Sequence, residues 1–410
     1  MRFVAAKACA GSRARAGALY IGGNSAAPIE TPSLLISTLK GLPAFISRDH
    51  LGDLPAPDSH LLHVSPIHFL DCPATKTICT IGGLHQMVGL HDHFFIASPR
   101  DSLESLPESD GTNKLGASFE TPSGRQLVKP SAYMEMITSL MPNLWASMAD
   151  EVPAWVSDKR NKTSVDRTLR WLDECINLDL VYENALTCTV EGGKNVLGFV
   201  VGGSSIEERK RCATEVAARN VSGFWIGGFG LGESIEERPA LLHAVTDSLP
   251  EEKLRLVSGL SLPEEVLQGV AVGVDFFDST YIYHLTLRGF ALIFPHNIVD
   301  EDIVDRPLDD YPNDCTKINL RATIFRKDTS SIVANCTCFT CQNHTRAYIN
   351  HLLNVHEMLA HILLEIHNTH HYLGFFRTIR ETIKNGKFDL FHKKFIQSRR
   401  IHLASVVQYS

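Results

Sequence analysis

Three cysteines lie close together near the C-terminal end of the sequence: Cys336, Cys338 and Cys341. Thiolates at such short spacing bind zinc well, because soft sulfur suits a borderline-soft ion, and structural zinc sites take four ligands. Three thiolates and one imidazole would leave no position for water, so the sequence predicts one structural rather than catalytic zinc ion. The fourth ligand is left open among four histidines that follow the cysteines: His351, His356, His361 and His367. The alternative is a set of free thiols beside a histidine-rich helix.

The elements that must position these residues form an alternating series from about residue 140 onward. The apolar segments "NLWASMAD", "VLGFVVGG", "VSGFWIGG", "LRLVSGL", "VDFFDS" and "GFALIFP" are predicted strands, and helical patterns such as "SVDRTLRWLDECINL" separate most of them. Strands with little polar alternation are buried on both faces, and repeated strand–helix units imply parallel strands with right-handed crossovers. The sequence therefore predicts an α/β fold, either a (β/α)8 TIM barrel or an open doubly wound sheet. The length suits the barrel, and no GxGxxG follows the first strand.

Several predicted strands end on residues that could form a site. The set comprises two aspartates and five glycines: Asp150, Gly202, Gly203, Gly227, Gly228, Gly259 and Asp278. Ligand sites of such barrels are built at the C-terminal ends of the strands, and glycine lets a ligand approach the backbone closely. The alternative is that these glycines only serve the turns.

Two polar stretches are predicted to be loops. Residues 99–125 are rich in Ser, Pro, Gly and acidic residues, which indicates an exposed loop. Residues 298–335 are polar with scattered apolar residues, which indicates an insertion before the cysteines.

The composition is that of a globular protein and excludes some function classes. The net charge of -7 over 410 residues and the pI near 6.2 argue against a broadly basic nucleic-acid binder. The cysteines are mostly scattered and no secretory signal precedes them, which favours a reducing compartment and a cytoplasmic location. The absence of acidic residues before Glu30 weakly resembles a mitochondrial transit peptide. The segments "GALYIGG" and "TPSLLIS" favour a folded hairpin instead.

The cysteine stretch resembles the zinc signature of a known family. "CTCFTCQNHTRAYINHLL" followed by "EIHN" is similar to that of the tRNA-guanine transglycosylases, which places the fourth ligand on the His of the His-Asn pair, here His367. The stretches "SRARAG", "ETPSLL", "ADEVP", "GFWIGGFGLGE", "GVDFFDS" and "GFFRTIRETIKNGKF" match the family in order along the chain. The resemblance implies a (β/α)8 barrel with a zinc-binding subdomain inserted near the C-terminus. We expect the barrel and an N-terminal hairpin over 1–297, the subdomain and its helix over 298–376, and a basic helix and tail over 377–410.

The active members of this family use two aspartates. One attacks C1′ of the ribose and displaces guanine, which queuine then replaces, and the second, in an Asp-Ser-Gly-Gly stretch, moves the proton. Asp278 matches the nucleophile by position, whereas "LHDHFFIASPRDSLESL" occupies the region of the second and offers only Asp101, without the glycines. Asp150 matches a base-recognising aspartate. Together with Gly227 and Gly228, it is a remaining substrate-binding position by resemblance.

Further departures from the active pattern accumulate. Val201 replaces a polar base-recognising side chain, Val152 replaces a cysteine, and His284 stands where an arginine would meet tRNA phosphate. Losing one member of a cooperating site typically costs orders of magnitude in rate. We therefore expect no catalytic residue, and Asp278 is interpreted as a vestige of the nucleophile.

These departures resemble the non-catalytic members of the family. The resemblance implies a heterodimer with the catalytic subunit of queuine tRNA-ribosyltransferase, acting on the wobble guanine of tRNAs with GUN anticodons (those for Asp, Asn, His and Tyr). This chain would support the dimer and position the tRNA. Peripheral association with the mitochondrial outer membrane is also implied, although no residue here encodes an anchor. Two alternatives stay open: an active transglycosylase with Asp278 as nucleophile, and a zinc-stabilised scaffold without tRNA contact.

The C-terminal stretch is predicted to meet tRNA phosphates, because it is basic and carries few acidic residues. Its basic residues are Arg377, Arg380, Lys384, Lys387, Lys393, Lys394, Arg399 and Arg400. The alternative is a solvated helix face.

Overall fold

The computed structural model describes residues 2–5, 13–21, 27–101, 103–104, 106–185, 195–296 and 316–407. Its strands are β1 (Arg2–Ala5), β2 (Gly17–Tyr20), β3 (Ile29–Thr31), β4 (Ser33–Ser37), β5 (Leu61–Val64), β6 (Phe94–Ala97), β7 (Leu106–Asn113), β8 (Gly116–Thr121), β9 (Gly124–Val128), β10 (Leu144–Ala146), β11 (Val196–Val200), β12 (Gly223–Ile226), β13 (Leu254–Val257), β14 (Phe276–Asp278), β15 (Phe290–Leu292) and β16 (Lys317–Asn319). Its α-helices are α1 (Arg48–Leu51), α2 (Thr75–Ile81), α3 (Leu84–Val88), α4 (Pro130–Leu140), α5 (Asp158–Ala185), α6 (Ile206–Ala217), α7 (Arg238–Thr246), α8 (Pro263–Ala271), α9 (Thr280–Arg288), α10 (Phe339–Asn343), α11 (Arg346–Asn354), α12 (Leu359–Lys384) and α13 (Phe388–Val407).

Parallel strands close into a barrel at the centre of the molecule. Going round the barrel, the order is β4, β5, β6, β10, β11, β12, β13 and β14, and β14 pairs with β4 to complete the closure. The strands are almost wholly buried, because barrel side chains cover one face and the surrounding helices cover the other. The predicted (β/α)8 barrel is confirmed.

The helices begin where the sequence offers capping groups. At the start of α6, the Ser205 hydroxyl accepts the N–H of Glu208 (3.3 Å), and two glutamates lie in the first turn near the positive end of the helix dipole. The Glu265 carboxylate of α8 accepts the backbone N–H groups of Ser261 (3.1 Å) and Leu262 (3.0 Å). These caps fix the loops that carry the C-terminal ends of the barrel strands. None of the described helices combines the length and apolar character that a membrane-crossing segment needs.

Three predicted elements differ from the structure. The hairpin forms between β2 and β3, while most of "TPSLLIS" is the first barrel strand, β4. Much of the predicted loop 99–125 belongs to a three-stranded antiparallel sheet in the order β7, β8, β9. The strand from "GFALIFP" is β15, which pairs with β16 outside the barrel. In each case the partner strand, rather than the local pattern, decides the role.

A second hydrophobic cluster is formed by residues of β15, β16, α10, α11 and the start of α12. It includes Ile318, Leu320, Phe325, Ile349, Leu353 and Leu363. The first turns of α12 pack in this cluster, whereas its later turns, from Ile366 to Ile383, pack in the barrel core. The boundaries at 297/298 and 376/377 stay a prediction, and residues 297–315 of the expected insertion lie outside the described residues.

Candidate metal centre and barrel mouth

The three cysteines and His367 converge on one point. Cys336 and Cys338 lie in the loop before α10, Cys341 lies within α10, and His367 lies in α12. The Cys338 thiol also caps α10 by accepting the N–H of Cys341 (3.3 Å). One ligand atom from each of the four residues lies within 4.8 Å of all the others. Three of the residues are buried and Cys336 is half-buried, so this group could hold a metal ion away from bulk water.

The distances within the group fit a tetrahedral ion. The His367 Nδ1 lies 4.0 Å from the sulfur of Cys336, 3.5 Å from that of Cys338 and 3.3 Å from that of Cys341. Zinc bonds of about 2.3 Å to sulfur and about 2.0 Å to nitrogen would place each nitrogen–sulfur pair about 3.5 Å apart. The observed distances lie on both sides of that value, so small side-chain shifts would complete the site. Four such ligands would hold zinc as a structural cross-link between the loop and α12.

A hydrogen bond to the backbone fixes which nitrogen of His367 faces the thiols. Its Nε2–H donates to the carbonyl of Leu292 in β15 (2.8 Å), which leaves Nδ1 as the ligand atom. The adjacent Asn368 reinforces the orientation, because its Oδ1 accepts the Leu292 N–H (2.8 Å) and its amide donates to the Phe290 carbonyl (3.0 Å). The other histidine candidates, His351, His356 and His361, are not part of the group among the described residues.

The mouth of the barrel is the end at which its strands have their C-terminal ends. The carboxylate of Asp278 lies there, at the C-terminal end of β14, and is bound by backbone groups. It is buried, and its two oxygens accept the N–H of Gly259 (2.7 Å) and the N–H of Thr280 (3.1 Å). Nearby His63 is also buried, with its Nε2 hydrogen-bonded to the Ser98 hydroxyl (2.8 Å). Burial lowers the pKa of His63 to about 4, so this imidazole is neutral at physiological pH.

Asp150, the matched base-recognising residue, is held by two arginines of α5. Arg160 binds both carboxylate oxygens (2.8 and 2.7 Å), and Arg167 binds one of them (3.0 Å). The same guanidinium groups donate to the carbonyls of Ser109 (3.1 Å) and Thr112 (3.2 Å) in β7. A bidentate arginine is a strong partner, so Asp150 fastens the β7–β9 sheet to the barrel rather than facing the mouth as a free acceptor.

Asp101, the aspartate nearest to the position of the missing second aspartate, is also hydrogen-bonded within the protein. Its carboxylate binds His68 Nε2 (2.7 Å) and accepts the N–H groups of Leu103 (2.8 Å) and Glu104 (3.1 Å). Burial opposes ionisation, but these bonds and the charge of His68 outweigh it and hold the pKa of Asp101 below its usual value. A carboxylate kept ionised by several donors is a poor proton carrier at neutral pH.

Two arginines that sequence reasoning missed fill the region of Gly227 and Gly228. Arg209 is fully buried over the Phe229 ring (4.0 Å) and donates to the carbonyls of both glycines (3.1 and 3.0 Å). Burial lowers the pKa of Arg209 to about 10, so it remains charged. Arg100 binds Glu151 (2.7 Å), whose carboxylate also accepts the Gly228 N–H (2.6 Å). The backbone groups of the predicted substrate-binding glycines are therefore bound by the protein itself.

The predicted basic stretch is partly neutralised by acidic residues near the N-terminal ends of β4 and β5. Arg380 is buried and Arg377 is exposed, and both bind the Asp58 carboxylate (2.9 and 2.7 Å). Lys384 binds Glu30 (2.7 Å). These three residues anchor α12 to the barrel. The side chains of Arg399 and Arg400 lie outside the described residues.

Comparisons with known proteins agree with this arrangement. The sequence model of the family described as Queuine tRNA-ribosyltransferase matches residues 9–401. The chain is 34% identical over 396 residues to a protein of Xenopus tropicalis named queuine tRNA-ribosyltransferase accessory subunit 2, covering 90% of this chain and 93% of that protein. Proteins of the same name from Homo sapiens and Trichoplax adhaerens are 34% and 32% identical, over 86% and 94% of this chain and 92% and 97% of their own lengths.

Proposed function

Because this chain belongs to the queuine tRNA-ribosyltransferase family, we propose that it is the non-catalytic accessory subunit of a heterodimeric enzyme. The catalytic partner would exchange guanine for queuine at the wobble position of tRNAs with GUN anticodons. This chain would complete the dimer and help to position the tRNA. The observation that carries the proposal is that Asp101, Asp150 and Asp278 each bind donors of the protein itself. Base exchange needs a carboxylate to attack the ribose and a second group to move the proton.

The described part of the zinc-binding subdomain offers a surface for the partner. Its exposed large apolar residues are Ile324, Tyr348, Val355, Met358 and Leu359, and we call this set the subdomain patch. Met358 is 66% exposed and lies in the turn that joins α11 to α12, close in sequence to two other members. Apolar side chains grouped on one surface favour association with another protein. We propose that the catalytic subunit covers this patch.

Zinc would hold the patch in place. The centre of Cys336, Cys338, Cys341 and His367 would cross-link the loop before α10 to α12. The patch lies on the short helical turn Thr323–Lys327, on α11, on the turn after it and at the start of α12. Because such sites form only in the folded state, the binding free energy of zinc becomes folding free energy. We therefore propose one zinc ion per chain with a structural role.

Asn substitution of the nucleophile position tests the non-catalytic role. In a reconstituted pair, Asp278→Asn in this chain should leave queuine-for-guanine exchange within about twofold of the wild-type rate, since its carboxylate takes no part in the chemistry. The matched control is the same substitution at the nucleophile of the catalytic homologue, which should abolish exchange. Loss of exchange in the first variant would establish the alternative, an active transglycosylase that uses Asp278.

A charge in the subdomain patch tests the dimer. Met358→Asp would place a carboxylate in a dry interface, and we expect the affinity of the pair to fall by about tenfold or more, measured by analytical ultracentrifugation. Leu115→Asp is the matched control, because Leu115 is an exposed apolar residue at the β7–β8 turn. If both variants pair normally, the patch is not the interface.

A scaffold without tRNA contact is the second candidate, favoured by the neutralised Arg377, Arg380 and Lys384. Mobility-shift titrations of a tRNA with the catalytic homologue, alone and as the pair, separate the two functions. Unchanged affinity on adding this chain would favour the scaffold.

A cytoplasmic location with peripheral attachment to the mitochondrial outer membrane stays a prediction, which cell fractionation and carbonate extraction would test.

A further inference from the structure

Trp155 is the one tryptophan of the chain that faces solvent. Of the 4 tryptophans, Trp145, Trp171 and Trp225 are buried, whereas Trp155 is 75% exposed. It follows β10, so it lies on the C-terminal side of the barrel with Asp150 and Asp278. Indole is among the side chains that contribute most to recognition when one face is available to a partner.

The indole packs against a neighbouring loop although it is exposed. Its six-membered ring lies against Gly232 in the loop after β12, so closely that any side chain at that position would collide with it. Gly232 has a φ of +96°, which favours glycine for a second reason. The Ala154 N–H donates to the Leu231 carbonyl (3.0 Å), which ties the loop of Trp155 to the loop of Gly232.

The loop beneath the indole is itself braced. The Glu233 carboxylate accepts the N–H groups of Gly230 (2.7 Å) and Leu231 (3.0 Å) and binds Arg238 (2.7 Å). Glu233 is buried, so these bonds are shielded from solvent. A ring that is supported on one side and already ordered loses little conformational entropy when a ligand stacks on its other side.

Two exposed lysines follow Trp155 in the sequence. Lys159 and Lys162 are exposed in the first turns of α5, which begins three residues after the tryptophan. Exposed acidic residues lie on both sides of the tryptophan, Asp158 at the start of α5 and Glu236 and Glu237 on the facing loop, and the two lysines are the groups that could meet phosphate. Unpaired bases bind proteins by stacking on an aromatic ring while nearby cations meet the phosphates. A flat ring with lysines on one side provides both contacts.

We propose that Trp155 stacks on an unpaired base of the tRNA, with Lys159 and Lys162 next to the adjoining phosphates. The inference rests on the proposed function and names the residue by which this chain would hold its RNA. Stacking accepts any base, so Trp155 would contribute affinity and position rather than sequence specificity.

Fluorine NMR of the intact pair tests the contact directly. The chain is labelled with 5-fluorotryptophan and mixed with the unlabelled catalytic homologue, and Trp155→Phe assigns the Trp155 resonance. We expect this resonance to shift when a GUN-anticodon tRNA is added and to stay unchanged when the homologue alone is added. A shift caused by the homologue alone would make Trp155 a protein contact and overturn the inference, as would the absence of a shift with tRNA.

Affinities of matched variants give a second measurement. Trp155→Ala should weaken tRNA binding by the pair by about fivefold or more, and Trp155→Phe should keep it within about threefold, because phenylalanine still stacks. Ile235→Ala is the control, since Ile235 is an exposed apolar residue of the facing loop that cannot stack. An equal loss in the Ile235 and Trp155 alanine variants, or no loss in either, would contradict stacking. If the pair binds tRNA no better than the homologue alone, the proposed tRNA role fails, whatever the Trp155 variants do.

Discussion

The metal centre and the barrel mouth satisfy their ionisable side chains in opposite ways. At the metal centre, three sulfurs and the His367 Nδ1 face one another, and all four are electron-pair donors. Such a group suits a cation that lies between its members. At the mouth, Asp150 and Asp278 face N–H groups of the chain itself. Ligand binding is therefore expected where electron-pair donors converge on one another, and not where each carboxylate already has its hydrogen-bond donors.

Removing one thiol should have the largest effect of any change considered. Cys338→Ser takes away a buried ligand, and zinc contributes on the order of 10 kcal/mol of folding free energy in small zinc domains. We expect the bound zinc to be lost and the subdomain to unfold, measured by plasma mass spectrometry and by thermal unfolding. Cys79→Ser is the control, because Cys79 is exposed and lies in α2. Normal zinc content and stability in Cys338→Ser would show that this group does not hold a structural metal ion.

Removing the buried arginine at the mouth should have the next largest effect. Arg209→Met would leave the carbonyls of Gly203, Gly227 and Gly228 without their donor. We expect the free energy of unfolding to fall by about 3–5 kcal/mol in urea denaturation. Arg211→Met, a matched change at a partly exposed arginine two residues away, should cost about 1 kcal/mol or less. Equal effects of the two substitutions would mean that the mouth is not held together by its own donors.

The smallest expected effect concerns pH. Burial lowers the pKa of His63 from 6.5 to about 4, so the folded state resists its protonation. Its contribution to stability is present above pH 6.5 and is lost as the pH falls through about 4. The glutamine of His63→Gln cannot take up a proton. Lowering the pH from 7.5 to 5 should therefore reduce the free energy of unfolding of this variant by about 2 kcal/mol less than that of the wild type. His91→Gln, at an exposed histidine, should follow the wild type. If His63→Gln also follows the wild type, the imidazole is not shielded by burial.

Much of the fold could be predicted because its determinants are local. The buried strands β11 to β14 are mostly apolar, with glycine or acid at or just after their ends, and apolar residues recur at helical spacing in the helices between them. The three cysteines were visible as a motif for the same reason. The choice of His367 among four histidines was not local, since it depends on the Leu292 carbonyl 75 residues away. Resemblance to the family supplied it.

The state of the mouth could not be predicted from the sequence. Arg100 binds a carboxylate 51 residues away and a carbonyl 129 residues away, and both partners come near only when the barrel closes. The strands β7 to β9 were missed because their residues are polar and the sheet is held by arginines of α5 rather than by a large apolar face. Asp58, which neutralises part of the basic stretch, lies more than 300 residues before it in the chain.

The most direct test of the account is queuine-for-guanine exchange on a GUN-anticodon tRNA, measured with this chain alone, with the catalytic homologue alone and with the two mixed. We expect no exchange by this chain alone and full exchange only in the mixture, because the mouth carboxylates are bound by the protein's own donors. Exchange by this chain alone would contradict it and return Asp278 to the role of nucleophile.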